Sequence, residues 1–591
     1  MQVKNRDSVD LLFTWDLSDI YKDENAFNEE LEAVKLEIEK ISEIKDRMMN
    51  NASELKSALD FYYSLERRIG KLYIYAMLYK SEDNGNPKAQ TLEGKAVNLY
   101  VDFGSKSSFI EPVILSEKEK LISFLKSEEL KSYKRVLSEM LRRSEHILSE
   151  KEEEILAKLS DVARASKNAF EMLESVDMTF PETLGENGEQ VPLSHGMYGV
   201  LIKSKNREVR KAVFENYFGE FKKYINTFAA TYSGSVKTDC FFASVNNYKS
   251  SLEAGLFSAG VPEEVYRNLI SSVRKAVPVL EEYISLRKKA LGLPELEIYD
   301  LYPPIVDTKE EKMSYSDAKE LVLKALEPLG EKYLELLKRA FSERWIDVYE
   351  NKGKTTGAFS CGLYGVHPYI LLNYTDTLDD AFTLAHELGH AMHSYFSDET
   401  QEYHNSDYTI MAAEVASTVN EVLLTLYLLK TETDRDKRAW VLNHFLESFR
   451  ATVFRQTLFA EFELKVHEQQ ENGEPITAEG LCKLYKEINE DYYKGVNIPE
   501  LFSIEWARIP HFYNAFYVYQ YATGFSAAVA IAKKISETGD TKGYLEFLKT
   551  GGSDFPIEEL KLSGVDLSKP ETIENAMALF KETIEELKNL L

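Results

Sequence analysis

The chain has 591 residues, with 71 basic and 98 acidic side chains and a net charge of −27. That acidic excess argues against a nucleic-acid backbone or an anionic membrane as the main partner, since both demand clustered Lys and Arg. The 28 Gly and 16 Pro fall below the usual ~7% and ~5%; with 44% hydrophobic and 29% charged residues, the expected class is mainly α, long amphipathic helices around a sizeable core.

From the amino terminus, MQVKNRDSVDLLFTWDLSDIY lacks the apolar core of a signal peptide. Residues up to about 175 carry an almost continuous helical pattern, as in NEELEAVKLEIEKISEIKDRM. Apolar positions there fall three and four apart with Glu and Lys between them. A break follows at Phe180-Pro-Glu-Thr-Leu-Gly-Glu-Asn-Gly188, where two Gly in a polar run between β-type pieces predict a hairpin or loop. Helical pattern resumes near Asn206 and runs past residue 340, with no internal repeat or low-complexity linker. Cys240, Cys361 and Cys482 are widely spaced and odd in number, which excludes a disulfide framework and suits a reducing compartment. The most sustained apolar stretch, Phe525 to Ala532, is far short of the ~18 residues a membrane span needs. A cytoplasmic location is expected.

Between residues 343 and 376 the texture changes. Gly353, Gly357, Gly362 and Gly365 punctuate β-branched and aromatic residues, predicting short strands and turns. Tyr369 to Tyr374 is the best strand, and would offer an exposed edge to which an extended peptide adds. His367 is read as a surface residue in a turn and Cys361 as an inert buried thiol. Thr377-Leu-Asp-Asp380 then has the Ser/Thr-x-x-acid form of a helix start.

The helix that follows reads DDAFTLAHELGHAMHSYF. His386 and His390 are four apart, so both imidazoles leave one face and can meet one ion. Glu387, beside the first, is placed to deprotonate an attacking water, which completes the HExxH arrangement. With 10 His in 591 residues, chance supplies about 0.02 such matches. A third protein ligand is needed. His393 lies seven residues from His386, about 10.5 Å along a helix, whereas ligand atoms on one tetrahedral zinc sit about 3.3 Å apart. His393 is therefore read as a neighbour or cleft residue. Glu414, 28 residues after His386 in Met411-Ala-Ala-Glu-Val-Ala-Ser-Thr-Val-Asn-Glu421, is the better candidate. The interval allows a returning helix, and a carboxylate on a small, apolar stretch is costly to bury without a cation. Glu421, two turns on, is assigned to orienting a ligand histidine.

At these residues the sequence resembles the thimet-oligopeptidase-like zinc metallopeptidases, and most closely the oligoendopeptidase F family. The matching pieces are TWDLSDIY, TLAHELGHAMHSYFS, AAEVASTVNE, IPHFYNAFYVYQYATG and YLEFLKTGGSDFPIEELKLSGVDL. The resemblance implies a large helical zincin-type body with a deep substrate channel and a small β-sheet beside the HExxH helix. It implies an N-terminal helical lobe (1–200) forming one channel wall and a catalytic helical domain (201–591). One zinc held by His386, His390 and Glu414, with Glu387 as general base, would cleave internal bonds of short peptides and exclude folded proteins. His511, Tyr517 and Tyr521 would bind substrate and stabilise the oxyanion.

Chemistry supports those last roles, since attack on an amide builds negative charge on its carbonyl oxygen. Tyr513, Tyr517 and Tyr521 are four apart and form one stripe if a helix starts near Pro510; an aromatic core stripe is the alternative reading. Two other functions compete with the endopeptidase. A dipeptidyl carboxypeptidase would need a cation fixing the substrate's terminal carboxylate, and a non-catalytic peptide-binding scaffold would leave the HExxH motif idle.

Overall fold

The computed structural model describes residues 4–306 and 312–591; residues 1–3 and 307–311, where opening segment and continued helix are expected, lie outside them. The chain divides into two compact units that interleave along the sequence. The first comprises Met1–Glu145, Glu310–Tyr427 and Ile531–Gly564, and the second His146–Lys309, Leu428–Ala530 and Val565–Leu591. Neither coincides with a sequential boundary at residue 200.

In the first unit, α1 (Ala52–Glu82) begins where the Asn51 side chain accepts from Glu54 N–H. A second long helix, Pro87–Ser107, starts behind an Asn86 cap with Pro in its first turn, where the missing N–H costs nothing. Their apolar faces, among them Leu65, Ile69, Leu72, Leu92 and Leu99, share one core with Tyr369 and Leu371 of a small sheet. That sheet contains β1 (Ile346–Asp347), β2 (Phe359–Cys361) and β3 (Tyr369–Leu371) in the order β1-β3-β2. β3 pairs parallel with β1 (Ile346 with Ile370) and antiparallel with β2 (Ser360 with Ile370).

This corrects the expected edge. The strand over Tyr369–Tyr374 is shorter than predicted, fully buried, and paired on both sides; half-buried β2 is an outer strand instead. The apolar run Tyr-Ile-Leu is that of a strand buried on both faces, which by itself does not say which neighbours flank it. Between β1 and β2 the loop is locked by a buried ion pair, Lys354 Nζ to Asp347 Oδ1 at 2.7 Å, with both side chains fully excluded from solvent. The same ammonium donates to the carbonyls of Tyr349 and Leu372.

Two helices then build the site, α2 (Leu378–Thr400) and α3 (Ile410–Thr431). α3 is long and apolar enough to cross a membrane, and it displaces Phe525–Ala532 as the most sustained apolar stretch. Yet 67% of its most apolar part is buried inside the protein, and a helix apolar all round is what a core helix requires.

The second unit contains the predicted hairpin, Thr183–Leu184 against Gln190–Val191, with Gly188 at φ 85° in its turn. Helix Arg207–Lys223 starts at the Asn206 cap, as expected. The helical run toward residue 340 is broken after Ala290, where Gly292 takes a φ of 64° and a short strand, Leu296–Glu297, precedes Pro303 and Pro304. Buried Arg210 pairs with Asp300 at 2.6 Å and holds this break against its helix. Further along lie α4 (Arg455–Glu471) and α5 (Tyr519–Thr538).

Candidate metal centre

α2 begins where it does because Thr377 and Asp380 cap it reciprocally. The Thr377 hydroxyl accepts from Asp380 N–H (3.1 Å), and the Asp380 carboxylate accepts from Thr377 N–H (2.9 Å). Two turns on, His386 and His390 bring their Nε2 atoms to 3.1 Å, with ring planes at 84°. Glu414 arrives from α3 with Oε2 3.9 Å from His386 Nε2, and the three ligand atoms all lie within 4.8 Å of one another. Two nitrogens close to the ~3.3 Å separation of ligands on one tetrahedral ion, completed by a carboxylate, suit a borderline divalent metal. Glu387 adds a buried oxygen, Oε2, with no hydrogen-bond partner among the described residues. These residues fit a metal ion.

The outer contacts fix that donor set. His386 Nδ1 donates to Glu421 Oε1 at 2.6 Å, which leaves Nε2 free for a metal. α2 and α3 meet unusually closely at Gly389, just before His390: a Cβ there would stand 2.5 Å from Ser417 Cα and 2.7 Å from the Ala416 carbonyl. One turn along, the buried Asn420 amide donates to the Ala385 carbonyl (3.0 Å) and accepts from the Tyr333 hydroxyl (3.0 Å). Gly389 and Asn420 set how α2 and α3 meet at the donor set, and neither was expected from the sequence. Their signals were a glycine inside the motif and an amide on an apolar helix.

Burial opposes charge on His386, but the hydrogen bond and charge of Glu421, with Glu387 and Glu414, carry its imidazole up to about 9. Burial, reinforced by Glu414 and Glu421, pushes Glu387 up to about 7 against the pull of His386. Burial and then the His386 charge press His390 down to about 3. Three carboxylates around two imidazoles leave an excess of negative charge that a divalent cation neutralises. His393 takes no part: it is fully buried, stacked on Tyr408 at 3.7 Å, and neither ring nitrogen has a hydrogen-bond partner among the described residues. It packs against Tyr408 within the core and does not face a cleft, where the sequence allowed either a neighbour of the metal or a cleft residue.

The sequence profile of peptidase family M3 matches residues 200–579, and the one described as Oligopeptidase F matches residues 114–180. The oligopeptidase PepF of Bacillus subtilis (strain 168) is 45% identical over 100% of this chain and 89% of its own. The chromosomal oligoendopeptidase F of Lactococcus lactis subsp. cremoris is 41% identical over 100% of this chain and 99% of its own. Among solved structures, oligoendopeptidase-F from Enterococcus faecium matches with a TM-score of 0.74 and 37% identity, covering 96% of this chain and 99% of that one. The chain belongs to peptidase family M3.

As an M3 peptidase of the oligoendopeptidase type, it is a metallopeptidase that cleaves oligopeptides. A cavity of about 850 Å³ in its first unit is lined by His390 and Glu414 from the metal centre, by Ser360 and Gly362 at the β2 edge, and by Arg67 and Lys71 of α1. Gly362 lets this edge lie against α2, since a Cβ there would come within 2.7 Å of Ser394 Cβ. Burial pushes the thiol of half-buried Cys361 up to about 12. His367 stacks flat on Trp345 and reaches Asp19 at 3.1 Å, which makes it a packing residue of the first unit.

The other predicted residues of this M3 peptidase gather in the second unit. His511, Tyr517 and Tyr521 form a triangle of rings, 6.1, 6.0 and 5.6 Å apart. Tyr513, Tyr517 and Tyr521 do not form the expected helical stripe. Pro510–Tyr513 is a separate 3-10 turn, and α5 starts only at Tyr519. Between them Phe516 takes a φ of 55°, outside the helical region. Tyr513 points elsewhere, stacked on Phe170 and hydrogen-bonded to the Thr231 hydroxyl (2.7 Å). Burial lowers the His511 imidazole below its ordinary value.

Proposed function

We propose that this M3 peptidase is a zinc-dependent endopeptidase that hydrolyses internal peptide bonds of short oligopeptides. The observation that carries the reading is the donor set itself: two imidazole nitrogens 3.1 Å apart, closed by Glu414, with a buried oxygen of neighbouring Glu387 that has no hydrogen-bond partner among the described residues. His386, His390 and Glu414 would hold one zinc ion, which supplies Lewis-acid activation of water and of the scissile carbonyl.

The chain's own residues do the rest. Glu387 takes the proton of the attacking water and passes it to the leaving amine. Glu421 keeps the His386 proton on Nδ1. An extended peptide adds along the outer strand β2, whose end lines the same cavity as His390 and Glu414; backbone pairing there gives affinity with little demand on side chains. His511, with the hydroxyls of Tyr517 and Tyr521, donates to the carbonyl oxygen as charge builds on it. The M3 profile starting at residue 200 supports a division of the sequence into an N-terminal lobe, 1–200, and a catalytic domain, 201–591, and the compact units interleave across that boundary. The three free cysteines suit a cytoplasmic enzyme.

Turnover of a short, internally quenched peptide tests the assignment. Glu387→Gln should retain zinc and lose nearly all activity, whereas retained turnover removes Glu387 from its role. A second reading, dipeptidyl carboxypeptidase, is favoured by Arg67 and Lys71 on the cavity wall, which would seize a terminal carboxylate. Amidating the peptide's C-terminus separates the two: an endopeptidase cleaves the amide and the free acid alike.

A further inference from the structure

Phe516 stands in the left-handed region, at a φ of 55°, where a bulky L residue is a true outlier and Gly or Asn would be at ease. Such strain persists only where the surroundings over-determine it. Here they do. The Phe516 N–H donates to Glu463 Oε1 at 2.9 Å, and Glu463, on α4, is 1% exposed. The Phe516 ring is packed over Gly255 of helix Ser251–Phe257, where even a methyl group would come within 2.8 Å of it. His467 and Tyr266 enclose the ring at 4.6 and 5.7 Å. Three elements of the second unit thus converge on one backbone turn. Its effect is to send Phe516 inward with Val518 and Tyr519, all at most 2% exposed, and to turn half-buried Tyr517 out toward His511 and Tyr521.

We infer that Glu463, Gly255 and Phe516 are positioning residues that hold the Tyr517 hydroxyl in place for the reaction. A relaxed residue at 516, within an uninterrupted helix, would serve packing as well; the strained turn is needed only because Tyr517 must leave the helical path. This rests on the reading that Tyr517 donates to the substrate.

The test is a set of steady-state measurements on the full-length zinc enzyme with one quenched peptide. Tyr517→Phe sets the reference, an expected fall in kcat of at least about tenfold with KM nearly unchanged. Gly255→Ala, by displacing the Phe516 ring, should reproduce that fall. The double variant Gly255→Ala/Tyr517→Phe should lose little more than Tyr517→Phe alone, because residues acting through one hydroxyl are non-additive. Glu463→Ala should likewise depress kcat, and Glu463→Gln, which keeps an acceptor for the Phe516 N–H, should restore it; this pair decides the matter if Gly255→Ala does not fold. An unaffected Tyr517→Phe enzyme overturns the role of Tyr517 and this inference with it. A damaged Tyr517→Phe enzyme beside unaffected Gly255→Ala and Glu463→Ala enzymes, or losses that multiply in the double variant, overturns the positioning role alone.

Discussion

Gly389→Ala is the substitution that most directly probes how the metal centre is built, because it replaces none of the proposed ligands. The added Cβ would sit 2.5 Å from Ser417 Cα, 2.7 Å from the Ala416 carbonyl oxygen and 3.0 Å from Ser417 N. Unstrained carbon contacts run at about 3.5–4.0 Å, so α3 must retreat by about 1 Å. All three opposing atoms are backbone, so no rotamer change relieves the clash. Overpacking of this kind costs about 1–3 kcal/mol. The larger consequence is for the metal: Glu414 and Glu421 lie one turn on either side of Ser417 and move with it, while ligand distances tolerate only about 0.2 Å. We expect zinc affinity to fall by at least about 100-fold, more than the 10–100-fold typical for losing a partner outside the ligand set, as measured by competition with a chromophoric chelator. Gly94→Ala is the control, a site inside helix Pro87–Ser107 where a Cβ meets nothing within 4 Å; there alanine should stabilise by about 0.5–1 kcal/mol. Wild-type zinc affinity in Gly389→Ala would refute the close approach as the device that brings Glu414 to the histidines.

Three further outcomes are expected. Glu421→Ala, which removes the 2.6 Å acceptor of His386 Nδ1, should weaken zinc binding about 10–100-fold, and an unchanged affinity would deny it that role. Lys354→Met leaves fully buried Asp347 with Arg6 as its remaining ion-pair partner and should cost about 3 kcal/mol in urea unfolding; a change below about 1 kcal/mol contradicts the buried pair. Glu447 is the pH test: burial opposes its charge, but Arg450 and Arg287, with the Tyr283 hydroxyl, hold it down at about 2. A depressed carboxyl stabilises the fold above its unfolded value of about 4.3 and loses that stabilisation as pH falls toward 2, about 3 kcal/mol in all. Glu447→Gln should therefore be destabilised at pH 7 and converge on the wild type near pH 2, whereas a loss independent of pH would refute the linkage.

The parts of this protein legible in the sequence are those whose cause is local. Helical periodicity places His386 and His390 on one face whatever surrounds them, and Thr377 and Asp380 cap their helix within a span of four residues. Glu414 was legible for a related reason, since a carboxylate on an apolar helix calls for a cation. The hairpin after Phe180 and the helix start near Asn206 follow the same rule of short-range chemistry.

Where the cause is distant, the sequence was silent or misleading. β3 looked like an edge because its apolar run says that it is buried and nothing about which strands flank it; β1 and β2 decide that by pairing on either side. The four-residue spacing of Tyr513, Tyr517 and Tyr521 promised one helix, and periodicity alone could promise nothing else. It is broken at Phe516 by Glu463, 53 residues earlier in the chain, and by the space left at Gly255. The sequence by itself determined the HExxH helix, the chemistry of its side chains and the acidic, helix-rich class. Only the tertiary structure decided how near α3 could come, which strand lies outermost and where Tyr517 turns away from the helix, because each depends on atoms that the chain brings together only by folding.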